Sequence, residues 1–346
     1  MCSMSYRVID ADGHVTESSE QLLTYIRASG GGPRPSRLTY PNDNWDRSLG
    51  GTLGTRASDA ETWLRAMDGG GVETAVLYPT GGLGIGWVRE PEWAAVLSAG
   101  WNDFFFNEFR MKSPRLLGVA LVAPHEPQEA AKELRRAVQD LGMVGAMLPA
   151  TGYRLPLGHR DLDPIYDEAQ RLGCMIGVHA TVRGPHYFGA DLFDSFVEVH
   201  TMSHAVAQMT QLTSMVLQGV PERFPDLKIA YLEAGCTWVP YWANRLDEEW
   251  EKRGAVEAPL CKRKPSDYIR GGNLYFSVED GETLMGPTAD FVGHNQLMYA
   301  TDFPHWDNSY PESLHAIEQR SDLSEDLKRK ILGENAERLY AVKVPA

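Results

Sequence analysis

Eight short apolar segments recur along the chain and constrain its fold more than any other sequence feature. They read RVIDA, VETAVLYP, LLGVALVAP, VGAMLPA, CMIGVHA, KIAYLEA, NLYFSVE and LMYATDF, at 7–11, 72–79, 116–124, 144–150, 174–180, 228–234, 273–279 and 297–303. The segments are almost continuously apolar rather than alternating, which is typical of parallel strands buried on both faces. Eight strand–helix units in 346 residues predict an α/β fold, a (β/α)8 or TIM barrel, with an open doubly wound sheet as the alternative.

Stretches with helical spacing of apolar residues separate these segments. Glycines and prolines mark the ends of such stretches. The predicted helices cover residues 57–67, 127–141, 163–172 and 203–217. An open sheet that binds a dinucleotide would carry a GxGxxG turn after its first strand, and none follows residues 7–11. The glycine-rich stretch at 81–86 lacks the required spacing and is interpreted as a flexible loop, so the barrel is favoured.

Two long polar segments interrupt the repeating pattern. Residues 29–54 lie between the first strand and the first long helix, and residues 254–272 form a second insertion. In a barrel, loops that follow strands build the active-site face. Residues 324–340 hold helical patterns split at Gly333 and predict a C-terminal helical cap. We expect residues 1–346 to form a single (β/α)8 domain.

The composition argues against several classes of partner. The formal net charge is −14 at pH 7, and the densest basic stretch is the short CKRKP at 261–265. Proteins that bind nucleic acid or an anionic membrane normally carry a basic patch, so we expect neither partner. The four cysteines show no CxxC spacing. The N-terminus has no basic region followed by an apolar stretch, and no apolar run reaches the roughly 20 residues needed to span a bilayer. Together with the cysteine pattern, these features indicate a cytoplasmic protein.

Metal-ligating residue types collect at the carboxyl ends of the predicted strands. They are Asp12, His14, His179, Glu233, Glu279, Asp302 and His305. In a barrel these ends converge on one mouth, where imidazoles and carboxylates can bind Zn²⁺, Mn²⁺ or Fe²⁺. Asp12 and His14 lie two residues apart, so on a strand they point the same way and can hold one ion. Asp10 shares that parity but lies deeper, so we expect it behind the ligands.

Several motifs carry a family resemblance over nearly the whole chain. VIDADGH, IGVHA, GVPERFPDLKIAYLEAG, YATDFPHWD and KRKILGENAERLY resemble the amidohydrolase superfamily. The similarity is to the branch that includes aminocarboxymuconate semialdehyde decarboxylase and γ-resorcylate decarboxylase. It implies a barrel with a divalent metal at its mouth. It also implies the metal ligands, which map onto Asp12, His14, His179 and Asp302.

Two positions depart from the pattern that this resemblance implies. Decarboxylating relatives usually carry a proton-transferring histidine after the sixth strand, where this chain has Glu233. The lysine that bridges two metals in other amidohydrolases is absent from MVGAMLPA, 143–150, which excludes a dinuclear site of the carbamylated-lysine type. A carboxylate bridge stays open, with Glu233 either a general base or a ligand shared by two ions.

His204 bears on whether Glu233 is a general base or a ligand shared by two ions. His200 and His204 are four residues apart, so on a helix they share one face, which Gln208 continues. One interpretation is an amphipathic helix with a histidine near its start. The other places His204 over the mouth as a metal ligand or acid–base group beside Glu233. We also expect His186, Glu279 and His305 to contact the substrate.

Three functions follow from these alternatives. The first is a metal-dependent enzyme that hydrolyses or non-oxidatively decarboxylates a small carboxylated or carbonyl compound, with Glu233, His204 and Asp302 as catalytic residues. The second is a non-haem di-iron monooxygenase on the same barrel, with Glu233 and His204 as ligands of the second iron. The third is a non-catalytic, metal-stabilised scaffold protein. The ligand residues on four strands argue against it, because a scaffold does not need them. The expected partner is a small-molecule substrate, and a homodimer is compatible with the acidic surface.

Overall fold

The computed structural model describes residues 6–17, 19–30, 58–181, 189 and 192–342. The strands of this part of the chain pair in parallel, in two sheets ordered β1-β2-β3 and β4-β5-β6-β7-β8-β9. They are β1 Ile9–Val15, β2 Thr74–Pro79, β3 Leu116–Gly118, β4 Ala120–Leu121, β5 Gly145–Pro149, β6 Met175–His179, β7 Ile229–Leu232, β8 Leu274–Val278 and β9 Leu297–Tyr299. Every predicted apolar segment therefore overlaps a strand, and every strand residue is buried.

Backbone hydrogen bonds connect the two sheets into one circuit. Only Val119 separates β3 from β4, and its amide donates to the carbonyl of Leu77 in β2 at 3.1 Å. At the other side, the amide of His14 in β1 donates to the carbonyl of Phe303, just past β9, at 2.8 Å. β3 and β4 together occupy one strand position. The nine described strands therefore fill eight positions around the circuit, as in the predicted (β/α)8 barrel.

Helices follow the strands. They are α1 Ser19–Ala28, α2 Ala60–Gly70, α3 Pro91–Phe105, α4 Pro127–Gln139, α5 Asp163–Leu172, α6 Phe196–Leu217, α7 Val220–Arg223, α8 Val239–Glu257, α9 Pro265–Ile269, α10 Met285–Val292, α11 Glu312–Gln319, α12 Glu325–Arg329 and α13 Asn335–Tyr340. The predicted helix at 163–172 matches α5 at both ends, and Gly173 ends it with a positive φ of 67°. Among the described helices, none combines the length and apolar content needed to cross a bilayer.

Three predictions about the connections were wrong. Helix α6 begins at Phe196 rather than at residue 203, because no proline or glycine interrupts 196–203 and Val199 is buried. The insertion at 254–272 is partly helical, since α8 continues to Glu257 and α9 follows. The glycine-rich stretch forms a 3₁₀ helix, Gly81–Trp87, that packs too closely for a loop: a Cβ on Gly86 would lie 2.4 Å from a backbone oxygen. Of the predicted loop at 29–54, residues 31–54 lie outside the described residues.

The C-terminal helices cover the amino end of β1, as the predicted cap requires. The predicted interruption of the helical region at Gly333 is not observed, because a π-helical turn, Lys330–Glu334, joins α12 to α13. A Cβ on Gly333 would lie 2.2 Å from the carbonyl oxygen of Arg7, so only glycine allows this approach. The Tyr340 hydroxyl donates to the Ala11 carbonyl in β1 at 2.6 Å.

Candidate metal centre

The carboxyl ends of four strands bring the predicted ligands to one edge of the sheet. Asp12 and His14 lie in β1, His179 ends β6, Glu233 follows β7 and Asp302 follows β9. Asp12, His14 and His179 are buried, with exposed fractions of 1%, 0% and 0%. Parallel strands present their carboxyl ends on one face, so residues far apart in the chain meet there.

The side-chain nitrogen and oxygen atoms of this group converge. His14 Nε2 lies 3.3 Å from Asp302 Oδ1 and 3.7 Å from Asp12 Oδ1. His179 Nε2 lies 3.4 Å from Asp12 Oδ2. One atom from each of Asp12, His14 and His179 lies within 4.8 Å of the other two. Such a spacing lets all of them reach a single central ion.

The side chains of this group suit a divalent cation, because several of their buried polar atoms have no hydrogen-bond partner among the described residues. Asp12 Oδ1, His14 Nε2, His179 Nε2 and Glu233 Oε2 have no hydrogen-bond partner in the described part of the chain. A buried polar atom without a partner costs about 1–3 kcal/mol. Imidazole nitrogens with carboxylate oxygens form a donor set that suits Mn²⁺, Zn²⁺ or Fe²⁺.

The two histidines of this group differ in charge, and both can present Nε2 to a metal. His179 Nδ1 lies 2.8 Å from the carbonyl of Ala180, so this nitrogen carries a proton and Nε2 faces Asp12. Burial lowers the pKa of His179, but the Asp12 and Glu233 carboxylates outweigh it and raise this pKa to about 9, so a cation that binds at Nε2 displaces a proton. Burial, together with the neighbouring imidazoles of His305 and His179, holds the pKa of His14 well below its usual range. A neutral imidazole is the form that coordinates a cation.

Two ligand candidates have strained backbones. Glu233 and Asp302 have φ angles of 55° and 53°, in the left-handed region that non-glycine residues rarely adopt. Each such residue costs on the order of 1–2 kcal/mol. Hydrogen bonds hold both in place: the Glu233 amide donates to Ser277 Oγ at 2.9 Å, and the Asp302 amide donates to the Asp12 carbonyl at 3.0 Å. Strain of this kind concentrates where a side chain must be aimed at a site.

His204 lies beside Glu233 in the cavity wall, as the second interpretation of α6 predicted. Its Nε2 is 3.5 Å from Glu233 Oε2, and its Nδ1 is 3.0 Å from the hydroxyl of Ser203. Burial acts to raise the pKa of Glu233, but the imidazoles of His204 and His179 outweigh it and hold that pKa well below its usual range. Glu233 is therefore an ionised carboxylate that faces the His204 imidazole.

His305, predicted as a substrate contact, is engaged by protein groups at both ring nitrogens. Nδ1 lies 2.7 Å from Asp302 Oδ1, and Nε2 lies 3.0 Å from the Thr80 hydroxyl. Its ring stacks on His14 with centroids 4.0 Å apart. Burial opposes protonation, but the Asp302 and Glu233 carboxylates raise the pKa of His305 well above its usual range. In this position His305 orients Asp302.

A cavity of about 350 Å³ opens beside the metal group. Asp12, Glu233, Asp302 and His204 line its inner part, and Glu279 lies at its rim. Crowding by protein atoms and repulsion from neighbouring carboxylates raise the pKa of Glu279 to about 7, although part of its surface meets solvent. The third predicted substrate contact, His186, lies outside the described residues.

Two residues that support the centre were not assigned this role from the sequence. Gln208 Nε2 donates to the carbonyls of Val178 and Leu232, at 2.8 and 2.7 Å, directly before His179 and Glu233. In the sequence, this role was indicated by the position of Gln208 on the same helix face as His204. Glu282 accepts from the amides of Cys236 and Thr237, each at 2.8 Å, and from that of Glu279 at 3.0 Å. No sequence motif marked this brace.

Comparison with known proteins identifies the family. Residues 9–342 match the profile of the family described as Amidohydrolase. The chain belongs to this family. A 2-amino-3-carboxymuconate-6-semialdehyde decarboxylase from Dictyostelium discoideum is 24% identical over 253 residues, which cover 73% of this chain and 68% of that protein. A gamma-resorcylate decarboxylase from Polaromonas sp. strain JS666 is 26% identical over 292 residues, 80% of this chain and 86% of the relative.

A solved structure shows the same fold. It is the 5-carboxyvanillate decarboxylase of Novosphingobium aromaticivorans, complexed with manganese and 4-hydroxy-3-methoxy-5-nitrobenzoic acid. It superposes with a TM-score of 0.74 at 21% identity, over 98% of this chain and 97% of that chain. The predicted amidohydrolase barrel and the predicted branch are thereby confirmed.

The relatives also bear on the predicted functions. The three proteins named above are decarboxylases, so a metal-dependent enzyme of this superfamily is confirmed and the di-iron monooxygenase is not favoured. Nothing in the comparisons supports a pair of iron ions. The roles of individual site residues, a homodimer and a cytoplasmic location stay predictions.

Proposed function

We propose that this amidohydrolase is a Mn²⁺-dependent enzyme that decarboxylates a small aromatic carboxylate without oxidation. The observation that carries the proposal is the convergence of ligand atoms from Asp12, His14, His179 and Asp302, next to Glu233 and His204. The names of the relatives support the reaction, and the manganese in the structural neighbour supports the choice of metal.

When bound, the cation supplies Lewis-acid chemistry that anchors and polarises the substrate carboxylate. Asp12, His14, His179 and Asp302 would hold it, with Glu233 as the further oxygen donor at the edge of the set. His305 keeps Asp302 oriented, because its Nδ1 lies 2.7 Å from that carboxylate. These contacts fix the substrate close to the Glu233–His204 pair.

The residues that move the proton are Glu233 and His204. Glu233 stays ionised and holds the His204 imidazole at 3.5 Å, so His204 Nε2 is placed to deliver a proton to the ring carbon that bears the carboxylate. The bond between that carbon and the carboxylate then breaks, CO₂ leaves, and its electron pair restores the aromatic ring. One proton is consumed and solvent returns it to His204. Proton transfer of this kind contributes about 10²–10⁴-fold to a rate.

The test is turnover of 2,6-dihydroxybenzoate by protein loaded with Mn²⁺, followed by release of CO₂ and formation of resorcinol. We expect His204→Asn to lower kcat by about 10²–10⁴-fold while manganese content stays at the wild-type value. His315→Asn, on the exposed face of α11, is the matched control and should leave kcat unchanged. Equal loss of manganese and activity would instead make His204 a ligand, and two irons per chain with O₂ consumption would overturn the proposal.

We also propose that residues 1–346 form one catalytic domain. The support is the hydrogen bond of Tyr340 to Ala11, which ties the C-terminal helix to the first strand. Removal of α13 should therefore abolish folding rather than leave an active barrel. A truncated chain that unfolds at the wild-type temperature would contradict this.

A further inference from the structure

The cavity beside the metal group is lined by acidic side chains beyond those that would hold the cation. Glu279 and Asp280 follow β8, and Asp307 lies in the loop after β9. Among the described residues that line this cavity, none is a lysine or an arginine. The basic groups in that lining are the imidazoles of His200 and His204.

A bound divalent cation does not neutralise this cavity. Together with the His305 imidazole, which lies 2.7 Å from Asp302, it would offset the three carboxylates at its own centre, Asp12, Glu233 and Asp302, and leave the outer carboxylates uncompensated. His200 does not offset them as a cation: its Nε2 lies 3.6 Å from Asp307 Oδ2, but burial and the neighbouring His204 lower the pKa of His200. A cleft lined by one sign of charge repels ligands of the same sign.

Arg320, a described arginine that contacts the acidic rim, is committed to other groups. Arg320 reaches the rim only through a hydrogen bond from Nη1 to the carbonyl oxygen of Asp280, at 3.1 Å. Its Nε and Nη2 donate to the carboxylate of Asp322, at 3.0 and 2.7 Å. Arg320 therefore offers no free pair of donors to a substrate anion. The rim itself is held in shape, because the Glu279 amide donates to Glu282.

From this charge pattern we infer that the substrate carries one carboxylate, and that its far side bears hydrogen-bond donors, hydroxyl or amine, that face Glu279, Asp280 and Asp307. The single carboxylate binds at the cation, where positive charge is available. A second carboxylate on the far side would be repelled by these three described carboxylates. This inference rests on the proposed function and divides the substrates in the names of its relatives: γ-resorcylate has one carboxylate and two hydroxyls, whereas 5-carboxyvanillate has two carboxylates.

The experiment compares two ligands that differ at one ring position. 2,5-Dihydroxybenzoate and 4-hydroxyisophthalate are both 2-hydroxybenzoates, with a hydroxyl or a carboxylate at position 5. Binding to the Mn²⁺-loaded protein is measured by calorimetry, separately from turnover. We expect the dihydroxy acid to bind at least about tenfold more tightly, a difference that added salt reduces.

Charge-removing variants assign the selectivity to the rim. In Glu279→Gln and Asp307→Asn, the gap between the two ligands should narrow by several-fold, while manganese content stays unchanged. Asp290→Asn, exposed on α10 and outside the cavity, is the matched control and should keep the gap of the wild type.

The outcomes separate this inference from the proposed function. If 2,6-dihydroxybenzoate is not decarboxylated but the binding preference and its loss in Glu279→Gln are found, the proposed reaction fails and the inference stands. If the dicarboxylate binds as tightly as the dihydroxy acid, or if neither acid binds, the inference is overturned, whether or not 2,6-dihydroxybenzoate is turned over. A preference that both rim variants leave unchanged also overturns it.

Discussion

Thr301 donates two hydrogen bonds to the buried carboxylate of Asp10, from its amide to Oδ1 at 2.9 Å and from its hydroxyl to Oδ2 at 2.6 Å. Asp10 belongs to β1 and Thr301 follows β9, so this contact joins the first strand to the last. The neighbouring residues Asp12 and Asp302 are ligand candidates on those two strands. The contact therefore sets the distance between them, in agreement with the predicted place of Asp10 behind the ligands.

Loss of the Thr301 hydroxyl should weaken metal binding. Thr301→Val removes the donor to Asp10 and the acceptor of the Phe303 amide, which lies 3.0 Å from Thr301 Oγ1. We expect manganese to bind about 10–100-fold more weakly, and the free energy of unfolding to fall by about 1–3 kcal/mol. Titration with Mn²⁺ and urea unfolding measure the two effects. Thr301→Ser keeps the hydroxyl and serves as the control; unchanged affinity in Thr301→Val would show that the contact does not position the ligands.

Gln208 and Gln211 of α6 provide a matched pair of variants. Gln208 bridges the carbonyls before His179 and Glu233, whereas Gln211 donates to Ala150 at 2.7 Å and accepts from Leu157 at 2.9 Å. Replacement of either by methionine leaves buried backbone groups unpaired, at a cost of about 1–3 kcal/mol in unfolding free energy.

Only Gln208→Met should also lower manganese affinity and kcat, because its partners precede the site residues. Calorimetric titration with Mn²⁺ and steady-state kinetics on both variants make the comparison. Equal losses of kcat in the two variants would mean that the effect comes from general destabilisation rather than from positioning.

The ion pairs of Glu168 should make stability depend on pH. Arg135 donates to both its carboxylate oxygens, at 2.9 and 2.8 Å, and with Arg171 it lowers the pKa of Glu168 to about 2. Because an unfolded glutamate titrates near pH ~4.3, the unfolded state binds more protons between these values. The stabilisation is therefore complete above pH ~4.3 and is lost as the pH falls towards about 2.

Glu168→Gln should lower the free energy of unfolding by about 1–2 kcal/mol near neutral pH, after allowance for the exposure of both arginines. The difference from the wild type should shrink as the pH falls below about 4. Urea unfolding across this range measures it. Glu129→Gln removes the exposed pair with Lys132 and should change stability by less than about 1 kcal/mol. A difference that is constant with pH would rule out the ionic origin.

Two glycines should respond in opposite directions to replacement by alanine. Gly333→Ala places a methyl 2.2 Å from the Arg7 carbonyl oxygen and should destabilise the protein by about 1–3 kcal/mol. Gly69 lies in α2 and a Cβ there meets nothing within 4 Å. Gly69→Ala should therefore raise stability by about 0.5–1 kcal/mol. Thermal unfolding of both variants is the measurement, and a stabilising Gly333→Ala would contradict the observed approach of α12 and α13 to β1.

Local patterns in the sequence were sufficient for the strands and for the candidates in the metal group. The apolar segments are continuous because parallel strands are buried on both faces, so eight of them, each followed by helical spacing, favour a barrel over the open doubly wound alternative. Asp12 and His14 could be recognised as a pair of ligand candidates, because strand geometry places residues two apart on the same side. The place of His179 and Asp302 followed from their positions at strand ends.

Only the tertiary structure decided which neighbours each of these residues has. The Thr301–Asp10 contact, the bridge of Gln208 and the acidic rim of Glu279 and Asp307 join segments far apart in the chain, and no periodicity encodes such pairs. The early start of α6 came with burial of Val199, a tertiary contact that outweighed weak local propensity. The sequence by itself thus determined the order of strands and the types of ligand, because both depend on local spacing. The arrangement of supports and charge around the site depends on how the barrel closes, which is a property of the folded chain as a whole.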